Sequence, residues 1–315
     1  MADMPVVLMA PTLPKRIVDK LTARYRLIGP LAASRPEALP DGAKDAVALL
    51  TMGTLTTDAA LIDALPNLRT IVVYGTGFEG VDAAYAKAKG IRIANAGTAN
   101  ALSVAEFAVG AILAATRQLA SGDRFVRAGR WTGNSVERMP MVRGLHGRRV
   151  GIYGLGSVGR LAAERLEVFG VELGYHNRRP REDVAYRYFD TLPALAEWCD
   201  ILLVAVRATR ETRHAVGRDV LAALGPSGTV VNISRGIAVD TDALCEALET
   251  NVIAGAALDV YEDEPNVPMR LRALDNVVLT PHVAANTVLA QESQQDRMLD
   301  NLAAFFAGAP MPGEI

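Results

Sequence analysis

The strongest constraint on the fold of this 315-residue chain is a glycine pattern that directly follows an apolar segment. The run from Arg149 to Tyr153 leads into Gly154-Leu155-Gly156-Ser157-Val158-Gly159, and a helix-like segment continues to Phe169. Glycines at this spacing let the backbone turn tightly and approach a pyrophosphate, which the amino terminus of the next helix then binds. We therefore predict that a dinucleotide-binding domain begins near this strand.

Short apolar runs alternate with helical patterns along almost the whole chain, which is typical of parallel α/β folds. They form two groups, predicted as strands at residues 6–10, 46–51, 70–74 and 91–94, and at residues 149–153, 172–175, 201–206, 229–233, 253–258 and 277–280. The second group has the six strands of a full dinucleotide fold. The predicted fold class is α/β, with two Rossmann-like or flavodoxin-like parallel-sheet domains and a cleft between them.

The domain boundary is predicted near residue 98. Ser103 and Glu106 have the spacing of a capping box and would open an apolar helix that runs to about Leu119. The last helical pattern, residues 287–307, follows the sixth strand of the second group and is expected to return to the first domain. We therefore assign residues 1–98 and 287–315 to a discontinuous substrate domain, and residues 99–286 to the dinucleotide-binding domain.

Composition excludes several classes of protein. Lysine and arginine total 33 against 35 acidic residues, so nothing indicates a nucleic-acid partner. No apolar run reaches the ~20 residues that span a bilayer, and the first residues lack the basic flank of a signal peptide, so we expect a cytoplasmic protein with no membrane partner. Cys199 and Cys245 are far apart and lack CxxC spacing, so no metal site is expected.

The lysines end early in the chain, because none follows Lys89. Short-chain reductases need a Tyr-xxx-Lys pair after the glycine motif, and β-hydroxyacid dehydrogenases also use a downstream lysine. Both classes are therefore excluded, as are a Schiff-base lysine and a P-loop lysine in the second domain.

A second copy of the glycine pattern, Gly75-Thr76-Gly77-Phe78-Glu79-Gly80, follows the strand at residues 70–74. Only one more strand follows it before the apolar helix that begins near Ser103, so it does not suit a dinucleotide. Two interpretations stay open: a plain strand-to-helix turn, or a nest of backbone amides that binds an anion such as a substrate carboxylate. In the second case Met52 is expected to line the pocket near this turn.

The end of the strand at residues 172–175 bears on cofactor choice, because NAD-binding proteins place Asp or Glu there to accept hydrogen bonds from the ribose. Here the chain reads Asn177-Arg178-Arg179, with no carboxylate. Paired arginines suit a 2′-phosphate, so NADP(H) is predicted as the preferred cofactor and NAD(H) as possible. The alternative is a solvated basic turn.

Candidate chemistry lies at the ends of the later strands, where ligands of open α/β sheets gather. Hydride transfer to a carbonyl needs a general acid, and His282 after Thr280-Pro281 is the histidine best placed for it; the alternative is a structural loop histidine. Arg235 and the acidic cluster Asp259 to Glu264 end neighbouring strands. An arginine can bind a substrate carboxylate, and a carboxylate can orient an imidazole.

These motifs together resemble the D-isomer-specific 2-hydroxyacid dehydrogenases, and within them the glyoxylate and hydroxypyruvate reductases. The resemblance covers nearly the whole chain and rests on Gly75-Thr76-Gly77, Val104-Ala105-Glu106, Gly154 to Gly159, Ser234-Arg235-Gly236, Asp259-Val260-Tyr261, Glu264-Pro265 and Pro281-His282. It implies that Arg235 binds the 2-oxo acid, His282 is the general acid/base and Glu264 pairs with it. It also implies that the amides at Gly75 to Gly77 bind the substrate carboxylate.

The resemblance also implies that Asp259 contacts the carboxamide side of the nicotinamide. Further cofactor contacts are expected at the strand ends and loops that follow the glycine motif, namely Val206, Arg207, Thr212, Ile233, Ser234, Arg235 and His282. The expected reaction is NAD(P)H-dependent reduction of glyoxylate or hydroxypyruvate to the D-2-hydroxy acid by a homodimer, with Gly129-Arg130-Trp131 near the dimer contact.

Some residues depart from the family pattern, including Arg207 where a proline is common and Ala284-Ala285-Asn286 after the histidine. These departures concern substrate identity more than reaction type. Two alternatives stay open: a dehydrogenase for a larger, aromatic 2-oxo acid, and a nicotinamide-sensing scaffold like the corepressors that share this fold.

Overall fold

The computed structural model describes residues 4–133 and 139–315; Met1, Ala2 and Asp3 of the amino-terminal segment considered above lie outside this range. The described strands are Val6–Met9 (β1), Arg26–Ile28 (β2), Ala48–Thr51 (β3), Thr70–Val73 (β4), Arg92–Ala94 (β5), Arg149–Tyr153 (β6), Glu172–His176 (β7), Arg187–Tyr188 (β8), Ile201–Val204 (β9), Thr229–Asn232 (β10), Gly255–Leu258 (β11) and Val277–Leu279 (β12).

The described α-helices are Lys15–Thr22 (α1), Ala59–Asp63 (α2), Ala83–Ala88 (α3), Ala101–Thr116 (α4), Leu119–Arg127 (α5), Ser157–Leu166 (α6), Leu192–Trp198 (α7), Arg218–Leu224 (α8), Thr241–Glu249 (α9), Met269–Arg272 (α10) and Val288–Phe306 (α11). Short 3-10 turns occur at Pro36–Ala38, Ala43–Asp45, Glu167–Phe169 and Gly236–Ala238.

The chain divides into two compact units, Met1–Asn100 with Thr287–Ile315, and Ala101–Asn286. The first unit holds a five-stranded parallel sheet in the order β2-β1-β3-β4-β5. Its apolar strands are buried on both faces, as parallel sheets require, and helix α11 packs against β4. This is the strand order of flavodoxin-like folds.

The second unit holds a seven-stranded parallel sheet in the order β12-β11-β10-β9-β6-β7-β8. The strand order reverses at β6, which pairs with β9 on one side and β7 on the other. In such sheets ligands bind at the carboxyl ends of the strands beside this reversal. The two sheets confirm the predicted pair of parallel α/β domains.

Two strands were missed by the sequence patterns, so the sheets have five and seven strands where four and six were predicted. Strand β2 has three residues, exposed or half-buried, and β8 has only two. Both lie at sheet edges, where one side of the strand has no neighbour to bury against and the hydrophobic pattern is weak. Their omission from the prediction therefore follows from their position.

The capping-box prediction at Ser103 was wrong. Helix α4 begins at Ala101, so Ser103 lies inside its first turn with its side chain buried. The helix also ends at Thr116, before Gln118 takes a left-handed backbone with φ 54°, and a separate helix, α5, follows. Among the described residues no single helix is long and apolar enough to cross a membrane; only α4 and α5 taken together, bent by 58°, reach that length and composition.

Helix α11 begins where its sequence predicts. Thr287 is the N-cap residue, and its hydroxyl accepts a hydrogen bond from the Ala290 amide at 3.1 Å. Farther along, the buried Asn301 side chain donates to the Asn95 carbonyl at 2.9 Å and accepts from the Gly313 amide at 2.8 Å. One side chain thus ties the helix to the end of β5 and to the carboxyl-terminal segment.

We expect Asn301→Ala to destabilise the first unit, because it leaves a buried carbonyl and a buried amide without their partner. Each loss costs about 1–3 kcal/mol, so the melting temperature should fall by roughly 5–15 °C. Differential scanning fluorimetry measures this change. The matched control is Asp300→Ala on the exposed side of the same helix, which should melt within about 1 °C of the parent. Equal melting temperatures for the two variants would contradict the assignment.

Candidate active site

The glycine motif at Gly154 to Gly159 forms a tight loop at the amino terminus of α6. Gly154 has φ 100°, and a Cβ there would lie 2.8 Å from the Ala205 backbone; a Cβ on Gly159 would lie 2.3 Å from the Gly154 carbonyl oxygen. Gly156, the N-cap residue of α6, differs, since a Cβ there would meet nothing within 4 Å. The backbone at Gly156 therefore faces open space at a helix amino terminus, which fits the approach of a pyrophosphate.

The residues after β7 lie beside this loop. The Asn177 side-chain oxygen accepts a hydrogen bond from the Leu155 amide at 2.7 Å, and the Arg181 guanidinium donates to the Leu155 carbonyl at 3.3 Å. Arg178 and Arg179 are exposed, and neither forms a hydrogen bond or an ion pair with another described residue. Arg178 does interact electrostatically with Glu211, where it helps to lower the pKa of that carboxyl. Two exposed arginines thus follow the residue that binds the glycine loop, where a 2′-phosphate is expected.

The loop after β9 completes the surroundings of the glycine motif. The Val206 amide nitrogen would lie 2.8 Å from a Cβ on Gly154, so the two backbones are in direct contact. Thr212 folds the rest of the loop back, because its hydroxyl donates to the Arg207 carbonyl at 2.8 Å and accepts from the Thr209 amide at 2.8 Å. The structure thus brings the Val206 to Thr212 loop, predicted to contact the cofactor, to the same strand ends.

The turn after β10 is organised by Asn232, which is almost fully buried. Its side-chain oxygen accepts hydrogen bonds from the amide and the hydroxyl of Ser234, and its amide group donates to the Arg235 carbonyl at 3.0 Å. Ile233 and Ser234 are buried, whereas the Arg235 side chain is half-buried. The backbone of the predicted substrate arginine is therefore held by a side chain for which the sequence pattern indicated no role.

The buried carboxylate of Asp259 holds the loop that carries His282. It accepts hydrogen bonds from the Thr280 hydroxyl at 2.6 Å and from the amides of Val283 and Ala284 at 2.9 Å each. The His282 amide also donates to the Asp259 carbonyl oxygen at 2.8 Å. Both oxygens of a carboxylate that is 1 % exposed are thus bound by this loop. The contact of Asp259 with the nicotinamide carboxamide stays a prediction.

His282 and Glu264 form a direct pair. His282 has a left-handed backbone with φ 52°, and its Nδ1 lies 2.7 Å from Glu264 Oε2. Because a carboxylate only accepts hydrogen bonds, Nδ1 carries the proton and Nε2 is left for chemistry. Glu264 is held in turn by the Tyr261 amide at 3.0 Å, and burial raises the pKa of Tyr261 to about 12.

The first unit carries the other predicted substrate residues. The carbonyls of Gly75 and Thr76 accept hydrogen bonds from the Ala96 amide and the Asn95 side chain. The amides of Gly75, Thr76 and Gly77 donate to no other described residue. Since α3 begins only at Ala83, these amides belong to an open turn and fit a nest for an anion. Met52 is 37 % exposed in the loop after β3, whose Gly53 backbone touches Gly77.

Two residues that organise the site escaped prediction, Asn232 and Thr280. Both had a weak signal, since each is a polar residue at the end of an apolar strand. Among the described residues no group of three or more His, Cys, Asp and Glu side chains has the arrangement of a metal site.

Comparison with known families gives one match over more than half of the chain. Residues 109–284 match the model of the NAD-binding domain of D-isomer specific 2-hydroxyacid dehydrogenases. The whole chain is similar to a glyoxylate/hydroxypyruvate reductase of Arabidopsis thaliana, at 37 % identity over 98 % of this chain and 97 % of that protein. A hydroxyphenylpyruvate reductase of Plectranthus scutellarioides is 40 % identical over 81 % of this chain and 80 % of its own length.

Among solved structures, the chain is similar to an NADPH-dependent glyoxylate/hydroxypyruvate reductase of Sinorhizobium meliloti, crystallised with NADP and malonate. The two share 36 % sequence identity with a TM-score of 0.91, over 99 % of this chain and 96 % of that chain. Similarity in sequence and in structure therefore extends along nearly the full length.

We expect Asp259→Asn to loosen the loop that carries His282. The new amide group faces a backbone amide in place of an acceptor, and an unmatched buried donor costs about 1–3 kcal/mol. Hydrogen exchange at Val283 and Ala284, followed by mass spectrometry, should become roughly ten times faster or more. The matched control is Asp263→Asn in the exposed part of the same acidic cluster. Parent-like protection in the Asp259 variant would show that this carboxylate does not hold the loop.

Proposed function

The chain belongs to the D-isomer specific 2-hydroxyacid dehydrogenase family, and on that premise we propose that it reduces glyoxylate or hydroxypyruvate to the D-2-hydroxy acid, with NADPH as the preferred cofactor. It is an oxidoreductase of a family that uses a nicotinamide dinucleotide. The observation that carries the proposal is the 2.7 Å hydrogen bond between His282 Nδ1 and Glu264. A histidine held in this way binds the carboxylate through Nδ1 and leaves Nε2 for proton transfer to a substrate.

The proposed roles follow from the chemistry of each group. When bound, the reduced nicotinamide supplies the hydride that a carbonyl carbon accepts. The alkoxide that forms takes its proton from His282 Nε2, while Glu264 stabilises the charged imidazole. Arg235 pairs with the 2-oxo acid through its planar guanidinium. The amides of Gly75 to Gly77, which donate to no other described residue, bind a substrate carboxylate.

The proposed cofactor residues are those that surround the glycine loop. The open backbone at Gly156 and the amino terminus of α6 would hold the pyrophosphate. The exposed guanidinium groups of Arg178 and Arg179 would hold a 2′-phosphate, which supports NADPH over NADH. The similar reductase of Sinorhizobium meliloti is NADPH-dependent, which agrees with this preference.

A second candidate function is the reduction of an aromatic 2-oxo acid. It is favoured by the similarity to the hydroxyphenylpyruvate reductase of Plectranthus scutellarioides. The similarity to the two glyoxylate/hydroxypyruvate reductases covers more of the chain, which supports the smaller substrates. The cytoplasm, where nicotinamide cofactors are supplied, is the compartment we propose for either reaction.

A substrate panel tests the proposed function directly. Glyoxylate, hydroxypyruvate, pyruvate and phenylpyruvate are each assayed with NADPH and with NADH, by the loss of absorbance of the reduced cofactor. We expect the highest kcat/KM for glyoxylate or hydroxypyruvate with NADPH. A higher kcat/KM for phenylpyruvate than for both small acids would instead establish the aromatic function. Tight NADPH binding without turnover of any 2-oxo acid would point to a nicotinamide-sensing scaffold.

His282→Ala should lower kcat for the best substrate by roughly a hundredfold or more, because it removes the group that delivers the proton. Steady-state assays at saturating NADPH measure this loss. The matched control is His146→Ala, since His146 is exposed in the turn before β6, at the end of that strand opposite the glycine loop. A parent rate in the His282 variant would remove this histidine from the chemistry.

The combined change Asn177→Asp with Arg178→Ala should reverse the cofactor preference. It removes one cation from the 2′-phosphate and adds a carboxylate that accepts hydrogen bonds from a ribose. A charge-assisted hydrogen bond is worth about 1.5–3 kcal/mol, which is on the order of a tenfold to hundredfold change in the ratio of dissociation constants. Fluorescence titration with NADPH and NADH measures both constants.

The exposed Arg24 in the first unit provides the control, since Arg24→Ala should leave the ratio unchanged. Equal dissociation constants of the parent protein for NADPH and NADH would show that Arg178 and Arg179 form only a solvated basic turn.

We also propose that the protein is a homodimer. Several large apolar side chains are exposed along α5 and the segment after it, and they border a groove of about 700 Å³; they are Leu119, Val126, Trp131, Met141 and Val142. An exposed apolar patch of this kind is typical of a protein interface. Trp131, the last residue of the segment Gly129-Arg130-Trp131 that is expected near the dimer contact, lines this groove.

Val126→Glu should convert the dimer to a monomer, because it places a charge inside an apolar interface. Light scattering coupled to size-exclusion chromatography measures the mass. Val168→Glu is the matched control, since Val168 is 84 % exposed in the turn after α6 and outside the patch. A monomeric parent protein would contradict the proposed assembly.

A further inference from the structure

A second histidine–carboxylate pair lies close to the first in the sequence and has no role in the proposed reaction. His214 Nε2 lies 2.7 Å from Glu262 Oε2, and Glu262 precedes the catalytic Glu264 by two residues. His214 is on the loop between β9 and α8, in a polar stretch whose sequence pattern predicts no role for it.

Glu262 connects the histidine to the start of α9. Its second oxygen accepts a hydrogen bond from the amide of Thr241, the first residue of that helix, at 3.0 Å. The N-cap residue Asp240 accepts from the Ala243 amide, and its other oxygen lies 3.9 Å from His214 Nδ1. Burial opposes ionisation of Glu262, but the hydrogen bonds from His214 and Thr241 outweigh it and hold the pKa of this carboxyl below its usual value.

The backbone of the His214 loop is bound to the segment that follows Arg235. The His214 amide, in a left-handed conformation with φ 51°, donates to the Ile237 carbonyl at 2.7 Å. Two residues later the Val216 amide donates to the Ala238 carbonyl at 3.0 Å. A left-handed conformation is unfavourable for histidine, so surrounding contacts must maintain it.

Arg235 itself is held against the turn that contains Glu262. A Cβ on Gly236 would lie 1.9 Å from the Tyr261 carbonyl carbon and 2.3 Å from the Glu262 amide nitrogen. The backbone next to Arg235 therefore lies directly on the Tyr261–Glu262 peptide bond. These contacts form a closed ring. Glu262 binds the His214 side chain, the His214 amide binds the Ile237 carbonyl, and Gly236, next to Ile237 in the chain, packs against the Glu262 amide.

We propose that His214 and Glu262 are positioning residues that hold Arg235 in the orientation that binds the carboxylate of the 2-oxo acid. This inference rests on the proposed function, since it assigns Arg235 to substrate binding. Neither His214 nor Glu262 needs to touch the substrate or the cofactor. Without the imidazole, Glu262 loses its side-chain donor and the turn beneath Gly236 can shift. A displacement of about 1 Å at a substrate-binding group is enough to lower activity by up to a hundredfold.

The test uses His214→Leu, His214→Gln and the control His146→Leu. Two quantities are measured with NADPH present: the dissociation constant of oxamate, an unreactive analogue of a 2-oxo acid, by calorimetry, and kcat and KM for glyoxylate. His214→Leu should raise the oxamate dissociation constant and KM by about tenfold or more, the scale of one lost charge-assisted hydrogen bond. The dissociation constant of NADPH should stay within about twofold of the parent value. His214→Gln should recover most of the loss, because its amide can donate to Glu262.

A double substitution separates positioning from general damage. If His214 acts through Arg235, adding His214→Leu to Arg235→Ala should lower kcat/KM for glyoxylate no further. Additive losses would overturn the inference, as would unchanged oxamate binding in His214→Leu. If His214→Leu does not fold, Glu262→Gln replaces it, because it keeps an acceptor for Thr241 and weakens the bond to His214. Failure of both variants to fold would also overturn the inference, since the pair would then be only structural.

A different result is expected if the proposed function is wrong. The parent protein would then bind NADPH but turn over no 2-oxo acid in the substrate panel. A parent protein that turns over glyoxylate, together with parent-like oxamate binding in His214→Leu, overturns the positioning role alone.

Discussion

The geometry of the candidate active site depends on one buried charge, the carboxylate of Asp259. A carboxylate that is almost fully buried is stable only when its oxygens accept hydrogen bonds, and here the Thr280 hydroxyl and the amides of Val283 and Ala284 satisfy both oxygens. Because those donors flank His282, the cost of leaving the charge unpaired fixes the path of the loop. On this path the His282 Nδ1 atom lies 2.7 Å from Glu264.

The same logic applies at the neighbouring strand ends. Asn232 holds the backbone of Arg235, Asn177 holds the glycine loop, and the close approach of Gly236 to Tyr261 joins two of the turns. In each case a polar side chain or a glycine at the carboxyl end of a parallel strand sets the position of a candidate site residue. A parallel sheet brings these ends to one edge, so short local contacts are enough to order residues from distant parts of the sequence.

Two histidine–carboxylate pairs occupy this edge, and their surroundings distinguish them. His282 bonds to Glu264 through Nδ1, and its Nε2 forms no hydrogen bond with any residue that the structure describes, which suits proton transfer. His214 has a carboxylate at each ring nitrogen, Glu262 at 2.7 Å and Asp240 at 3.9 Å, and its backbone is bound to the segment after Arg235. The surroundings of His282 suit proton transfer, whereas those of His214 suit a residue that holds its neighbours in position. Similar residue types thus serve different purposes because their second nitrogens differ in environment.

The sequence by itself determined the two parallel sheets, the dinucleotide loop at Gly154 to Gly159 and the candidates Arg235 and His282, because periodicity, glycine spacing and strand ends are local signals. Within the acidic cluster, Glu264 was singled out by the family resemblance. It did not reveal the edge strands β2 and β8, whose short, exposed runs carry little hydrophobic pattern. It also misplaced the start of α4, since Ser103 has capping-box spacing but lies buried inside the helix. Only the tertiary structure decided that Asp259 binds the His282 loop and that His214 pairs with Glu262, because these contacts join residues that lie far apart along the chain and meet only when the sheet assembles.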